Sequence, residues 1–245
     1  MKVTYLGHSG FLAETEKAYY VIDYIRGDLP EFSEKKSLYV LVSHAHRDHW
    51  NPGVFTDPKL QHAKLYLLGF DIKEPFEEMA REEPDLSRLP VAWVYPEKTV
   101  CTEDFSCDPM LSTDEGVAFL IREENTVLYH AGDLNWWHWN GDPEERNRER
   151  AQNFKKEVDK LQGISIDAAF VPLDPRQEEA YRFCMDYCME TLDAKYVFPM
   201  HFWKKYELCR QYRESLKESH PDWYGRFQEI RFEGETFLLE KQQTV

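Results

Sequence analysis

The sequence predicts an α/β chain built from two β-sheets with helices packed outside them. Three observations carry that prediction. Short apolar and β-branched runs separated by turn residues crowd the amino-terminal part. Charge-dense stretches with apolar residues at helical spacing come only later. In the second half, strand-like and helix-like runs alternate. Strands first, then alternating β and α elements with surface-type helices, suit two flanked sheets. At 245 residues the chain is long enough for one large core, so residues 1–245 are read as a single domain.

Taken in order, Val3–Leu6 and Phe11–Glu14 read as strands joined by the turn Gly7-His8-Ser9-Gly10, and Ala18–Tyr24 follows as a third. Leu38–Val42 is β-branched and aromatic and ends in polar residues, which marks a buried strand. Ala63–Leu68 is a further strand and Ile72–Glu82 a helix. Val117–Arg122 and Thr126–Tyr129 form a hairpin around Glu123-Glu124-Asn125. Pro143 to Leu161 is charge-dense, with Phe154, Val158 and Leu161 at helical spacing, hence an outer helix. A strand at Ala168–Val171, a helix from about Gln177 to Leu192, a strand at Tyr196–Phe198 and a helix over Tyr206–Glu218 complete the reading. No internal repeat, low-complexity tract or Gly/Ser linker is visible.

Composition narrows the function classes. Forty-five acidic against 30 basic residues leave a net charge of −15, which repels phosphate backbones. The longest basic runs, Lys35-Lys36, Lys155-Lys156 and Lys204-Lys205, are pairs only. A nucleic-acid partner is therefore not expected. Nor is a membrane, since no apolar stretch approaches the roughly 18 residues of a span, and MKVTYLGHSGF lacks an apolar leader core. Five cysteines without a CxxC pair suit a reducing compartment, so the expected location is cytoplasmic. The sequence is silent on oligomeric state.

The stretch with most chemistry is SHAHRDHW, residues 43–50. His44 and His46 alternate on an extended chain and share a face, and Asp48 and His49 follow as the chain turns away. Clustered imidazoles and a carboxylate only cost desolvation unless a cation sits among them. His44-Ala-His46-Arg-Asp48-His49 resembles the HxHxDH signature of the metallo-β-lactamase superfamily. That resemblance implies a four-layer αββα sandwich with a two-metal site at one edge. It also implies a metal-bridging aspartate after a glycine, which Gly132-Asp133 matches, and a late histidine, which Pro199-Met200-His201 matches.

One family ligand has no counterpart. A third histidine belongs between the first motif and Asp133, yet residues 63–129 contain none. Asp114, in Leu111-Ser-Thr-Asp-Glu-Gly116, is a candidate replacement or an ordinary turn residue. Cys107 could serve, or the position could stay empty. A carboxylate in place of imidazole would move preference from zinc toward manganese or iron. One or two divalent ions are expected.

Other residues have both plain and functional readings. His8 lies in an early turn that similar hydrolases carry beside their metals, where it would contact substrate. His130 is core-facing or a proton donor, and His138 a second candidate donor. Trp136, Trp137 and Trp139 follow Asp133 and are either packing or a pocket wall. Arg176 is a surface ion pair or a clamp for a carboxylate or phosphate. Cys184 and Cys188, four apart, read as core thiols. The resemblance implies a hydrolase in which metal-bound hydroxide attacks a small ester, a lactone or phosphodiester, with Asp48 and Asp133 binding and orienting. The ordered motifs HSGF, HAHRDH, GD and PMH look most like the compact ascorbate-phosphate lactonase type. The rival expectation is a non-catalytic metal- or metabolite-binding protein with an incomplete site.

Overall fold

The computed structural model describes residues 1–240. They form two compact units: residues 1–94 together with those from Phe232 onward, and Tyr95–Arg231.

The first unit opens with an antiparallel meander, β1 (Lys2–Gly7), β2 (Gly10–Glu14) and β3 (Ala18–Ile22). Three strands then run parallel to β3: β4 (Ser37–Val42), β5 (Leu65–Gly69) and β6 (Val91–Val94). Every residue of β4 after Ser37 is buried. Inner parallel strands are covered on both faces, which is why this segment reads as a continuous apolar run. Helix α1 (Lys73–Glu82) bridges β5 to β6 and sets Phe76 edge-on against Phe55 and Trp93.

The second unit repeats that plan. Strands β7 (Val100–Cys101), β8 (Phe105–Leu111), β9 (Val117–Glu123) and β10 (Thr126–His130) are antiparallel. After α2 (Glu144–Val158), β11 (Ser165–Pro172) lies parallel to β10. After α3 (Phe183–Thr191), β12 (Asp193–Met200) lies parallel to β11. Helices α4 (Tyr206–Ser219) and α5 (Pro221–Arg226) follow. The chain then adds β13 (Thr236–Leu238) to the first sheet, antiparallel to β1. The sheet orders are β13-β1-β2-β3-β4-β5-β6 and β12-β11-β10-β9-β8-β7. A mixed α/β fold of two sheets and helices is thus present.

Several expectations need correction. The third strand stops at Ile22, because Asp23 turns the backbone to φ 44°. The helix expected over Gln177–Leu192 is interrupted. Pro175–Arg182 is a 3₁₀ segment with Glu178 at φ 51°, and α3 begins only at Phe183. Asp174 accepts the Arg176 N–H at 2.9 Å and so starts a tight turn there. Strand β8 escaped the sequence reading because Pro109 argues against a strand. It is tolerated because β7 pairs only with Ser106 and Cys107, which leaves Pro109 beyond its reach. The absence of a sequence repeat also conceals a repeat of topology, a meander followed by parallel strands in each sheet.

Strand direction brings the chemistry together within each unit. β1, β3, β4 and β5 all run the same way, so their carboxyl ends share one edge of the first sheet. That edge carries His8, Asp23, residues 43–49 and Asp71. In the second sheet β8, β10, β11 and β12 agree in direction, and their carboxyl ends lead to Asp114, Asp133, Asp174 and His201. Carboxyl ends of parallel strands are where α/β sheets place ligands. Among the described residues no helix is long and apolar enough to cross a membrane.

Candidate metal centre

In the first unit the histidine motif is organised by Asp23, a residue the sequence reading passed over. Its carboxylate is fully buried and accepts from the Ser43 backbone N–H at 2.7 Å, the Ser43 hydroxyl at 2.7 Å and His49 Nδ1 at 2.8 Å. Since the Ser43 hydroxyl gives its proton to Asp23, its oxygen accepts from His44 Nδ1, 2.9 Å away. Both histidines are therefore fixed in the tautomer whose lone pair lies on Nε2. His44 Nε2 is 3.1 Å from His46 Nδ1, a separation suited to two donors of one ion. Asp71 steadies the loop by accepting from the Ala45 N–H at 2.7 Å. Gly69 lies so close to this loop that a Cβ there would come within 2.2 Å of the Ser43 carbonyl oxygen.

His8 joins this group. It is buried at φ 51°, with Nε2 3.2 Å from Asp48 Oδ2 and its ring edge-on to His49 at 5.7 Å. His8, Asp48 and His49 offer ligand atoms that all lie within 4.8 Å of one another. The sequence places His8 beside substrate. Its position at the carboxyl end of β1 makes it a ligand candidate, a role its single spacing could not reveal.

In the second unit Gly132 turns at φ 52°, and its N–H donates to His130 Nδ1 at 3.1 Å. His130 is fully buried, 5.7 Å from the Phe170 ring, and serves the turn that presents Asp133. His201 mirrors His49. Its Nδ1 is 3.1 Å from Asp174 Oδ2, and Nε2 is 3.4 Å from Asp133 Oδ1. With the Nδ1 proton directed to Asp174, the Nε2 lone pair faces a carboxylate oxygen. Two electron-rich atoms at that separation are stabilised by a cation. Burial alone would raise the Asp174 pKa, but hydrogen bonds from His201 and Arg176 outweigh it and hold the carboxyl below its usual range.

Arg176 forks onto Asp174 through Nε at 2.8 Å and Nη2 at 2.6 Å, and its guanidinium lies over Trp203 at 4.8 Å and Trp137 at 5.7 Å. It is thus tied to the His201 cluster rather than to a distant surface. Trp137 and Trp139 are parallel, 8° between planes and 5.9 Å between centroids. Trp136 departs from the expected wall. It packs between α2 and α3 against Phe154, Phe183 and Tyr187, with the Lys155 ammonium over its ring at 4.4 Å. His138, half-buried, stands edge-on to Phe183. Gln177, also missed from sequence, is buried. It accepts from Asn135 Nδ2 at 3.0 Å and donates to the Trp136 carbonyl at 2.7 Å, so it clamps the loop leaving Asp133.

Asp114 is exposed, with its N–H bonded to Ser112 Oγ, and does not take the buried position expected of a ligand. Cys107 is inside the second sheet, where burial pushes its thiol pKa far up; a ready thiolate is not available there. Cys184 and Cys188 are core thiols as expected.

The donor set fits a divalent transition metal. It combines imidazole nitrogen with carboxylate oxygen, the ligand types of zinc, manganese and iron sites. His49 and His201 each rest on a buried carboxylate, the usual support of metal-bound imidazole.

Residues 2–140 match the profile of the "Beta-lactamase superfamily domain". A "UPF0173 metal-dependent hydrolase" from Opitutus terrae is 29% identical over 144 residues, which cover 54% of this chain and 63% of that protein. The match thus spans less than two thirds of the relative's length. Two solved structures share the fold at low identity. Igni18, a metallo hydrolase from Ignicoccus hospitalis, aligns with TM-score 0.62 and 16% identity over 98% of this chain and 99% of that one. A "possible metal-dependent hydrolase" from Veillonella parvula aligns with TM-score 0.64 and 10% identity over the same shares.

Proposed function

We propose that this chain, which belongs to the β-lactamase superfamily, is a metal-dependent hydrolase of a small ester, in line with the hydrolase named in its curated relative. One observation carries the reading: two buried histidines, His49 and His201, each with Nδ1 on a buried carboxylate and Nε2 kept for a ligand. The proposed ligands are His44, His46, Asp48, His49, Asp133 and His201, with His8 added. When bound, the metal supplies Lewis acidity and brings water to reactivity near neutral pH.

The chain's own residues do the rest. Asp23 and Asp174 hold the imidazoles in one tautomer. Asp48 and Asp133 contribute negative oxygens. His138, half-buried on the loop that leaves Asp133, is assigned proton delivery to the leaving group in preference to His130, whose Nδ1 accepts from Gly132. Trp137 and Arg176 would receive the non-reacting part of a lactone or phosphodiester. Long polyanions are excluded by the net charge of −15, whereas one small anion is little hindered at physiological screening. No nucleic-acid or membrane partner is proposed. None of the five cysteines is in a disulfide, which supports a cytoplasmic setting.

Protein purified without chelator is expected to carry one to two equivalents of zinc, manganese or iron and to turn over a chromogenic phosphodiester or lactone, with little action on RNA. His49→Ala and His201→Ala should both lower metal content and activity. Full metal content in both variants would remove the proposed ligands. Tight binding of a single ion with no turnover of either substrate class would favour a binding protein instead.

A further inference from the structure

Within the second unit a cavity of about 290 Å³ is lined by Thr113, Asp114, Trp137, Trp139, Arg150 and Arg176. Its size suits a single small ligand. Arg150, on α2, is absent from the proposed metal and clamp residues, yet the structure gives it a fixed post. Its Nη1 donates to Asp142 Oδ2, and Asn147 Oδ1 is 3.3 Å away. Asn147 in turn brackets Trp139. It accepts the Trp139 N–H at 3.1 Å and donates to the Trp139 carbonyl at 2.8 Å. One buried amide therefore holds both the Trp139 backbone and a guanidinium. The parallel Trp137 lies 5.9 Å from Trp139.

We infer that this cavity binds a flat, ring-bearing monoanion, its ring against the Trp137 and Trp139 indoles and its charge read by Arg150. Parallel indole planes offer area to a planar ring. A guanidinium carries five N–H donors, and the bonds described engage only Nη1, so the fork can also hold a carboxylate, phosphonate or phosphate. Because Asp142 and Asn147 already immobilise the group, little side-chain freedom is lost on binding. Asp114 is the one carboxylate of the lining and limits the ligand to a single negative charge. A second, separate cavity of about 260 Å³ shares the wall residues Thr113, Asp114 and Arg150 and is also lined by Lys156. That the cavity receives the substrate rests on the hydrolase reading above; that it binds such an anion does not.

The test is isothermal titration of the as-purified protein with phenylphosphonate, buffered on the acid side of its second ionisation so that it carries a single charge; it contains no ester to hydrolyse. Methylphosphonate and benzyl alcohol separate the ring from the charge. Phenylphosphonate should bind more tightly than either. Arg150→Gln should weaken it about tenfold or more at unchanged metal content, the loss of one charge-assisted hydrogen bond, and Asp114→Asn should tighten it. Equal affinity in Arg150→Gln, or equal binding of methylphosphonate, overturns the inference. Should Arg150→Gln not fold, Trp139→Leu gives the second arm: phenylphosphonate must weaken while methylphosphonate does not change. Binding without turnover would leave this cavity standing and reject the hydrolase. Turnover without binding would do the reverse.

Discussion

Asp23 sits at φ 44° with its carboxylate shut away from solvent, and His49 directly and His44 through Ser43 lean on it. Carboxylates that orient metal-bound imidazoles typically contribute 10- to 100-fold in metal affinity. Asp23→Asn is therefore expected to weaken zinc or manganese binding by about that factor, measured by competition with a chromogenic chelator. Unchanged affinity would show that Ser43 alone holds His44 and His49 in place. His44, His46, Asp48 and His49 are legible because four ligand types stand within six positions. Asp23 and Asp174 act on histidines 26 and 27 positions away, and one aspartate after an apolar run looks like any strand end. His8 is legible as a substrate contact in a turn but not as a ligand, since its partners Asp48 and His49 arrive through strand pairing.

Elements were legible where hydrophobic pattern and backbone chemistry agree. The β4 run and the β9–β10 hairpin are of that kind. Where a single residue contradicts its neighbours, as Pro109 does in β8 or Pro175 before α3, local reading fails and tertiary pairing decides. The carboxyl end of α3 shows how a distant residue completes an element. The half-buried Arg226, on α5, donates to the carbonyls of Met189 at 3.0 Å, Leu192 at 2.8 Å and Ala194 at 2.8 Å. Removing it would leave those carbonyls to poorer partners. Arg226→Ala is expected to lower stability by about 2–4 kcal/mol in denaturant unfolding, from lost charged hydrogen bonds. A loss under about 1 kcal/mol would mean that water replaces the guanidinium without penalty.

At the scale of the molecule, the aromatic share of 15% includes 14 tyrosines, several deep in the core. Burial, the largest cause in each case, pushes Tyr66 and Tyr187 to about 12 and Tyr129 and Tyr212 higher still. A phenol whose pKa is raised on folding contributes stability that is fully present below its unfolded value near 10 and is lost as pH rises through the folded value. Denaturant midpoints should therefore fall between about pH 10 and 12, in step with tyrosinate absorbance. A flat profile there would contradict the burial of these rings. The placement of β13 acts on another axis, that of time. The first sheet lacks its cover over β1 until Thr236–Leu238 have been synthesised, whereas residues 95–231 hold all their strands earlier. Completion of the first sheet is thus a late, long-range event. Meanwhile β1 offers its backbone donors and acceptors to any passing strand. A chain cut after Arg231 keeps every proposed metal ligand, and its expected defect is self-association through β1.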